Sequence, residues 1–171
     1  IWEPTASKIE MLGIARRAAT GADFEGDDAG DAGFLVMMNE IIQTRPDVHR
    51  GWLEAELDAQ LFLADTDNAN EVAKMADDQT EGMDRKILWA SLYRDENRVN
   101  KLTLDFVFND KVRNMLNASA EFLAGKKKFG KRTTLRPQAV YDEVARQVLA
   151  DRGLKSPLGK IDGVPLSEYR P

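Results

Sequence analysis

The stretch DAGFLVMMNEIIQTRPDVHRGWLEAELDAQLFLAD, residues 31–65, carries the strongest structural signals of the sequence. Its apolar run at residues 34–38 has the length of a buried strand, and the next residues, 40–44, predict a short helix capped by an asparagine. Pro46 suits the first turn of a longer helix. Apolar residues then recur on one side of that helix to about Ala64, so we expect it to be long and largely buried.

The patterns outside this stretch predict a helix-rich chain with few strands. Helices are predicted at residues 7–12, 68–75, 84–93, 110–123 and 137–149, and strands at residues 14–19 and 102–108. The tail after Gly153 has little periodicity, so we expect it to run over the surface. These strands are too few to form a sheet alone, although they are apolar enough to be buried.

Composition narrows the chemistry that is open to the protein. The 171 residues include no cysteine, which excludes disulfides, thiolate metal sites and a cysteine nucleophile. The single histidine, His49, lacks the oriented partner that a general base needs, and we expect it to be exposed and without a catalytic role. A net charge of -5 argues against a nucleic-acid partner, whose phosphates favour a basic surface. We predict no catalytic residue, no metal and no cofactor.

A family resemblance appears when residues 31–65 are read together with IWEP at residues 1–4 and ILWASLY at residues 87–93. In order and spacing, the chain resembles the extracytoplasmic substrate-binding proteins of ABC importers for nitrate, sulfonates, taurine and thiamine-precursor pyrimidines. In that family a strand ending in a W-x-P element closes the second lobe, and an apolar strand returns the chain to the first lobe ahead of an "hPDxxxxxL" helix. The matching parts here are Trp2-Glu3-Pro4, the run at residues 34–38, and Pro46-Asp47 with Leu53.

The resemblance implies an α/β fold: the C-terminal portion of a two-lobed, periplasmic-binding-protein-like (type II) doubly wound fold, helix-rich in the residues present. It implies that residues 1–24 end the second lobe and that residues 25–33 form the hinge crossover. Residues 34–171 then return to the first lobe and add the C-terminal helices and tail. We expect the run at residues 34–38 to be an interior strand whose neighbours come from a missing N-terminal half or from a second copy.

The function implied by the resemblance is that of the solute-binding component of an ABC importer. Such a component binds a small organic molecule or oxyanion in an interlobe cleft and presents it to the membrane permease. The implied location is periplasmic or otherwise extracytoplasmic, with a lipid anchor upstream of Ile1 as one option. Two alternatives stay open: an enzyme on the same scaffold related to pyrimidine-precursor metabolism, and a mainly helical protein-interaction domain.

Four residues are predicted ligand contacts: Trp2, Glu3, Asp31 and Phe34. The resemblance places Trp2 and Glu3 at the cleft-facing end of a strand, where an indole can stack on a planar group and a carboxylate can accept hydrogen bonds. The alternative is that Trp2 belongs to the core and Glu3 caps the following helix. Asp31 and Phe34 border the cleft in the resemblance.

Two charged segments have both a functional and a structural interpretation. The aspartates and glycines of residues 27–31 could bind calcium, but their spacing differs from that of the calcium-binding loop, and a solvated hinge is favoured. The basic run at residues 126–132 could contact anionic lipid or a phosphate-rich partner. The favoured interpretation of this run is a solvated helix end, where cations complement the helix dipole.

Overall fold

The structure is a computed structural model that describes residues 1–19, 33–94, 103–128 and 134–171. Helical segments make up 59% of it and the sheet has two strands, so the expectation of a helix-rich chain with some β-structure is confirmed. The two-lobed, doubly wound arrangement stays a prediction. In these ranges the elements are α1 (Thr5–Met11), α2 (Asn39–Thr44), α3 (Pro46–Ala64), α4 (Ala69–Gln79), α5 (Arg85–Tyr93), β1 (Thr103–Leu104), α6 (Asp110–Gly125), α7 (Glu143–Asp151) and β2 (Gly159–Lys160).

The chain divides into two compact units, which are described separately. Unit 1 comprises Ile1–Thr20, Glu56–Leu104 and Pro157–Pro171, and unit 2 comprises Gly21–Ala55 and Asp105–Ser156, each in so far as the structure describes them. Unit 1 contains α1, α4, α5 and the two-stranded sheet, and unit 2 contains α2, α6 and α7. The predicted lobe and hinge boundaries stay predictions.

The core of unit 1 surrounds α5. Trp89 and Tyr93 are completely buried and lie one helical turn apart, with ring centroids separated by 6.3 Å. Ala69 and Ala73 present small buried side chains on α4, which allow that helix to approach α5 closely. The Tyr93 hydroxyl donates a hydrogen bond to the carbonyl of Leu63 at 2.9 Å, so the polar end of the ring is satisfied inside the unit.

Two helix starts in the described ranges, those of α5 and α6, have a side-chain cap. The Asp84 carboxylate accepts a hydrogen bond from the N–H of Lys86 at the start of α5. The Asn109 side chain accepts one from the N–H of Val112 at the start of α6. The prediction that Asn39 caps α2 is wrong, because Asn39 is already the first helical residue.

Helix α3 has the predicted bounds but is less buried than predicted. Leu57 is completely buried, whereas Val48, Trp52 and Ala55 are exposed. The apolar residues of this helix therefore lie on two faces, and one of these faces points outward. Periodicity identified the helix correctly but could not decide which face packs.

Two predicted strands are wrong, and a third is shorter than predicted. Residues 14–19 and 34–38 contain no strand, and Val36 is 92% exposed where burial was expected. A strand needs a hydrogen-bonded neighbour, and within the described ranges neither segment has one. The third strand is reduced to β1, in which Thr103 pairs antiparallel with Lys160 of β2.

The tail after Gly153 contributes to the core of unit 1, which corrects the prediction of a surface path. Ile161 is 1% exposed and Val164 is also buried, both within the cluster around α5. The N–H of Val164 donates to the carbonyl of Tyr93 at 2.6 Å, and Arg94 forms an isolated parallel bridge with Val164. Backbone pairing thus holds the tail against the end of α5, which side-chain periodicity does not reveal.

Replacing Ile161 by alanine should show whether the tail is part of the core. We expect Ile161→Ala to lower the free energy of unfolding by about 2–4 kcal/mol, because a fully buried side chain is truncated. The matched control is Ile14→Ala in the same unit, which should change it by less than about 0.5 kcal/mol, since Ile14 is 70% exposed. Urea denaturation followed by circular dichroism measures both. Equal, small losses would contradict the packing of the tail.

Candidate functional site

The first candidate site lies in unit 1 and is built on alternating charges. Glu3, Arg17, Glu10 and Arg94 form a series that we call the ion network. The Oε2 atom of Glu3 accepts from the N–H of Ser7 at 3.1 Å, and its Oε1 atom accepts from the Arg17 guanidinium at 2.6 Å. Arg17 also lies 3.5 Å from Glu10, and Glu10 accepts from Arg94 at 2.6 Å. Each charge of the network thus has a neighbour of opposite sign.

The ion network runs from the interior to the surface. The Arg94 side chain is 5% exposed, those of Glu10 and Arg17 are mostly buried, and that of Glu3 is the most exposed of the four. Partial burial alone would raise the pKa of Glu10. The hydrogen bonds from Arg94 and from the N–H of Arg17, with both positive charges, outweigh burial and lower this pKa below its ordinary value of 4.5.

Trp2 immediately precedes Glu3, the outer end of the ion network, in the sequence. Its side chain is 82% exposed, which excludes the interpretation of Trp2 as a core residue. Glu3 does act at the helix start, because it accepts from the N–H of Ser7 in the first turn of α1. An exposed tryptophan is thus followed in sequence by a carboxylate that two donors hold in place.

The other two predicted contacts, Asp31 and Phe34, are described apart from this site. Phe34 belongs to unit 2, where its ring stacks on that of Phe108 with centroids 5.8 Å apart and planes inclined by 13°. The Arg113 guanidinium lies 5.8 Å from the centroid of the Phe108 ring. Asp31, like the acidic cluster at residues 27–31, lies outside the described residues.

Asp142 organises unit 2 and was missed by the sequence analysis. Its buried carboxylate accepts, on the single atom Oδ2, from the N–H of Phe108 at 3.0 Å, from Arg113 at 3.0 Å and from Arg146 at 2.8 Å. These bonds join the segment before α6 to the start of α7. The spacing of Asp142 and Arg146, four residues apart, was the one local signal that could have identified the pair.

His49 is buried at 7% exposure, so the prediction of an exposed histidine is wrong. Its ring lies 5.9 Å from that of Tyr141, with the planes tilted by 32°. The reason is helical register: His49, Leu53 and Leu57 follow one another at four-residue steps and lie on the inward face of α3. This position fits a packing role for the ring.

The described part of the chain offers few further sites for ligands. It contains no group of three or more His, Cys, Asp or Glu residues placed to hold a metal ion. Across the same ranges, no helix combines the length and the apolar character needed to cross a bilayer. A groove of about 450 Å³ on α6 is lined by Ala118, Ser119, Phe122 and Leu123.

Comparison of the chain with models of known protein families, with curated proteins and with solved structures finds no match. The family resemblance therefore rests on the residues quoted for it. The geometry of the ion network and of Trp2 is independent of that resemblance.

Acidification should weaken unit 1 through Glu10. Because the pKa of Glu10 is lower in the folded chain than its ordinary value of 4.5, the unfolded state binds more protons as the pH falls through this range. The stability contributed by Glu10 is therefore present above about pH 4.5 and is lost below the folded pKa. Glu10→Gln should cost about 1–2 kcal/mol at neutral pH, a modest loss because the partly exposed pair is screened by solvent. In acid the loss should be much smaller, because Glu10 is then protonated in the parent protein.

Urea denaturation at a series of pH values measures this effect. The control is Asp78→Asn, because Asp78 forms an ion pair with Lys74 in which both side chains are more than half exposed. This variant should change stability little at any pH. If Glu10→Gln and the parent protein lose stability in parallel on acidification, the role assigned to Glu10 is wrong.

Proposed function

We propose that the protein is the solute-binding component of an ABC importer, which binds a small organic molecule or oxyanion in an interlobe cleft and presents it to the permease. The observation that carries the proposal is the exposed Trp2, which precedes in sequence the Glu3 carboxylate that the ion network fixes in position. A solute receptor needs an apolar face for stacking and a few polar groups that are already oriented.

The fixed carboxylate favours binding because its orientation is set before a ligand arrives. Both Glu3 oxygens accept hydrogen bonds, from Ser7 and from Arg17, so little side-chain freedom remains to be lost. The negative charge of Glu3 disfavours a bare anion such as nitrate. A ligand that combines a planar or apolar part with a hydrogen-bond donor, such as an amine or an aminopyrimidine, fits better.

The two-lobed part of the proposal is supported by the family resemblance alone, because residues 34–38 form no strand in the described structure. Val36 is 92% exposed, and the run has no strand partner among the described residues. The proposal includes a periplasmic or other extracytoplasmic location and a permease as partner, and both are supported by the family resemblance.

Ligand binding is tested by titrating the full chain with taurine, an alkanesulfonate, an aminopyrimidine and nitrate. The readouts are tryptophan fluorescence and the melting temperature, since a ligand that binds the native state raises Tm. We expect the donor-bearing solutes to quench the emission of Trp2. Trp2→Ala should remove the quenching and weaken binding roughly tenfold, through the lost stacking and apolar contact.

The matched control is Trp52→Ala, because Trp52 is also exposed but belongs to unit 2. This variant should leave affinity and quenching unchanged. The proposal fails if no solute changes fluorescence or Tm. It also fails if Trp2→Ala binds the solutes as tightly as the parent protein.

A further inference from the structure

The C-terminal end of α6 combines an apolar groove with positive charge. Phe122 and Leu123 line the groove of about 450 Å³, and the Phe122 side chain is 64% exposed. The Nζ atom of Lys126 lies 5.5 Å from the centroid of the Phe122 ring. Lys127 and Lys128 follow directly, and all three lysines are exposed. We call Phe122, Leu123 and residues 126–128 the α6 basic end.

The backbone holds these lysines back against the last turn of α6. The N–H of Lys127 donates to the carbonyl of Ala124 at 2.9 Å, and the N–H of Lys128 donates to that of Leu123 at 2.8 Å. This bonding pattern ends many helices and usually places glycine where Lys127 stands. Lys127 instead has φ 55°, in the left-handed region that disfavours residues with a side chain. Lysine therefore stands at a position where glycine would be more stable.

The charge of this region is opposite in sign to that of the whole chain. Residues 121–128 contain three basic residues and one acidic residue, Glu121, whereas the net charge of the protein is -5. Lysines at a helix end also complement the negative end of the helix dipole. That role accounts for positive charge but not for a lysine in the left-handed conformation, nor for the exposed Phe122 beside it.

We infer that the α6 basic end docks on an anionic lipid surface. Lysines attract negatively charged headgroups, while exposed Phe and Leu side chains enter the boundary between headgroups and acyl chains. Lysine suits an array of headgroups because it is a flexible point charge, whereas recognition of one specific phosphate or carboxylate favours the bidentate arginine. This inference does not depend on the solute-binding proposal.

Vesicle flotation of the full chain tests the inference. We expect binding to vesicles of phosphatidylcholine mixed with phosphatidylglycerol, no binding to phosphatidylcholine alone, and release when salt is raised from about 0.1 M to about 1 M. K126Q/K127Q/K128Q should abolish binding, and Phe122→Ser should weaken it. The matched control is K86Q/K155Q/K160Q, which removes three other exposed lysines and changes the net charge equally. Circular dichroism checks that each variant folds.

Lys127→Gly separates the two roles of this residue. Glycine should raise Tm, because it relieves the left-handed conformation, yet binding to the mixed vesicles should be roughly fivefold weaker through the lost charge. The inference is overturned if the mixed vesicles do not bind, or if the two triple variants lose binding equally. It is also overturned if Lys127→Gly binds as well as the parent protein, or if soluble polyglutamate binds more tightly than the vesicles, which would indicate an acidic protein partner.

Discussion

The buried guanidinium of Arg94 is the constraint on which unit 1 depends. A charge removed from water is costly unless an opposite charge and good hydrogen bonds compensate it, and Glu10 supplies such a partner at 2.6 Å. That contact requires α1 to lie against the end of α5. The backbone bridge from Arg94 to Val164 places the tail at the same point, where Ile161 completes the core. Arg94 thus positions α1 and the C-terminal tail, two segments that are far apart in the sequence.

The geometry around Trp2 follows from this constraint. Arg94 fixes Glu10, Glu10 lies within 3.5 Å of Arg17, and Arg17 holds Glu3. A network in which positive and negative charges alternate keeps the local net charge near zero, so partial burial is tolerated. The Glu3 carboxylate is therefore rigid because of residues that reach into the core, and Trp2 is adjacent to it in sequence. The geometry of the proposed binding surface at Glu3 thus depends on the interior charges of Arg94 and Glu10.

Local chemistry could be predicted from the sequence, whereas long-range pairing could not. The bounds of α3 and the cap Asn109 depend on neighbouring residues and were predicted correctly. The run at residues 34–38 and the tail were not, because a strand or a core position requires a partner that periodicity does not identify. In the candidate site, Trp2 and Glu3 were singled out by resemblance. The ion network that holds Glu3 was missed, because Glu10 and Arg94 are 84 residues apart.

Arginine and lysine have different roles in this protein. The arginines named below stabilise the fold, whereas the exposed lysines at residues 126–128 are available for contact with other molecules. Arg94 in unit 1, and Arg113 and Arg146 in unit 2, bind carboxylates that are themselves largely buried. Their planar guanidinium groups suit such fixed pairs. The lysines at residues 126–128 are exposed, and Lys127 is kept in a conformation that glycine adopts more easily. An acidic chain that concentrates lysine there, at a cost in stability, uses this charge for contact with something outside itself.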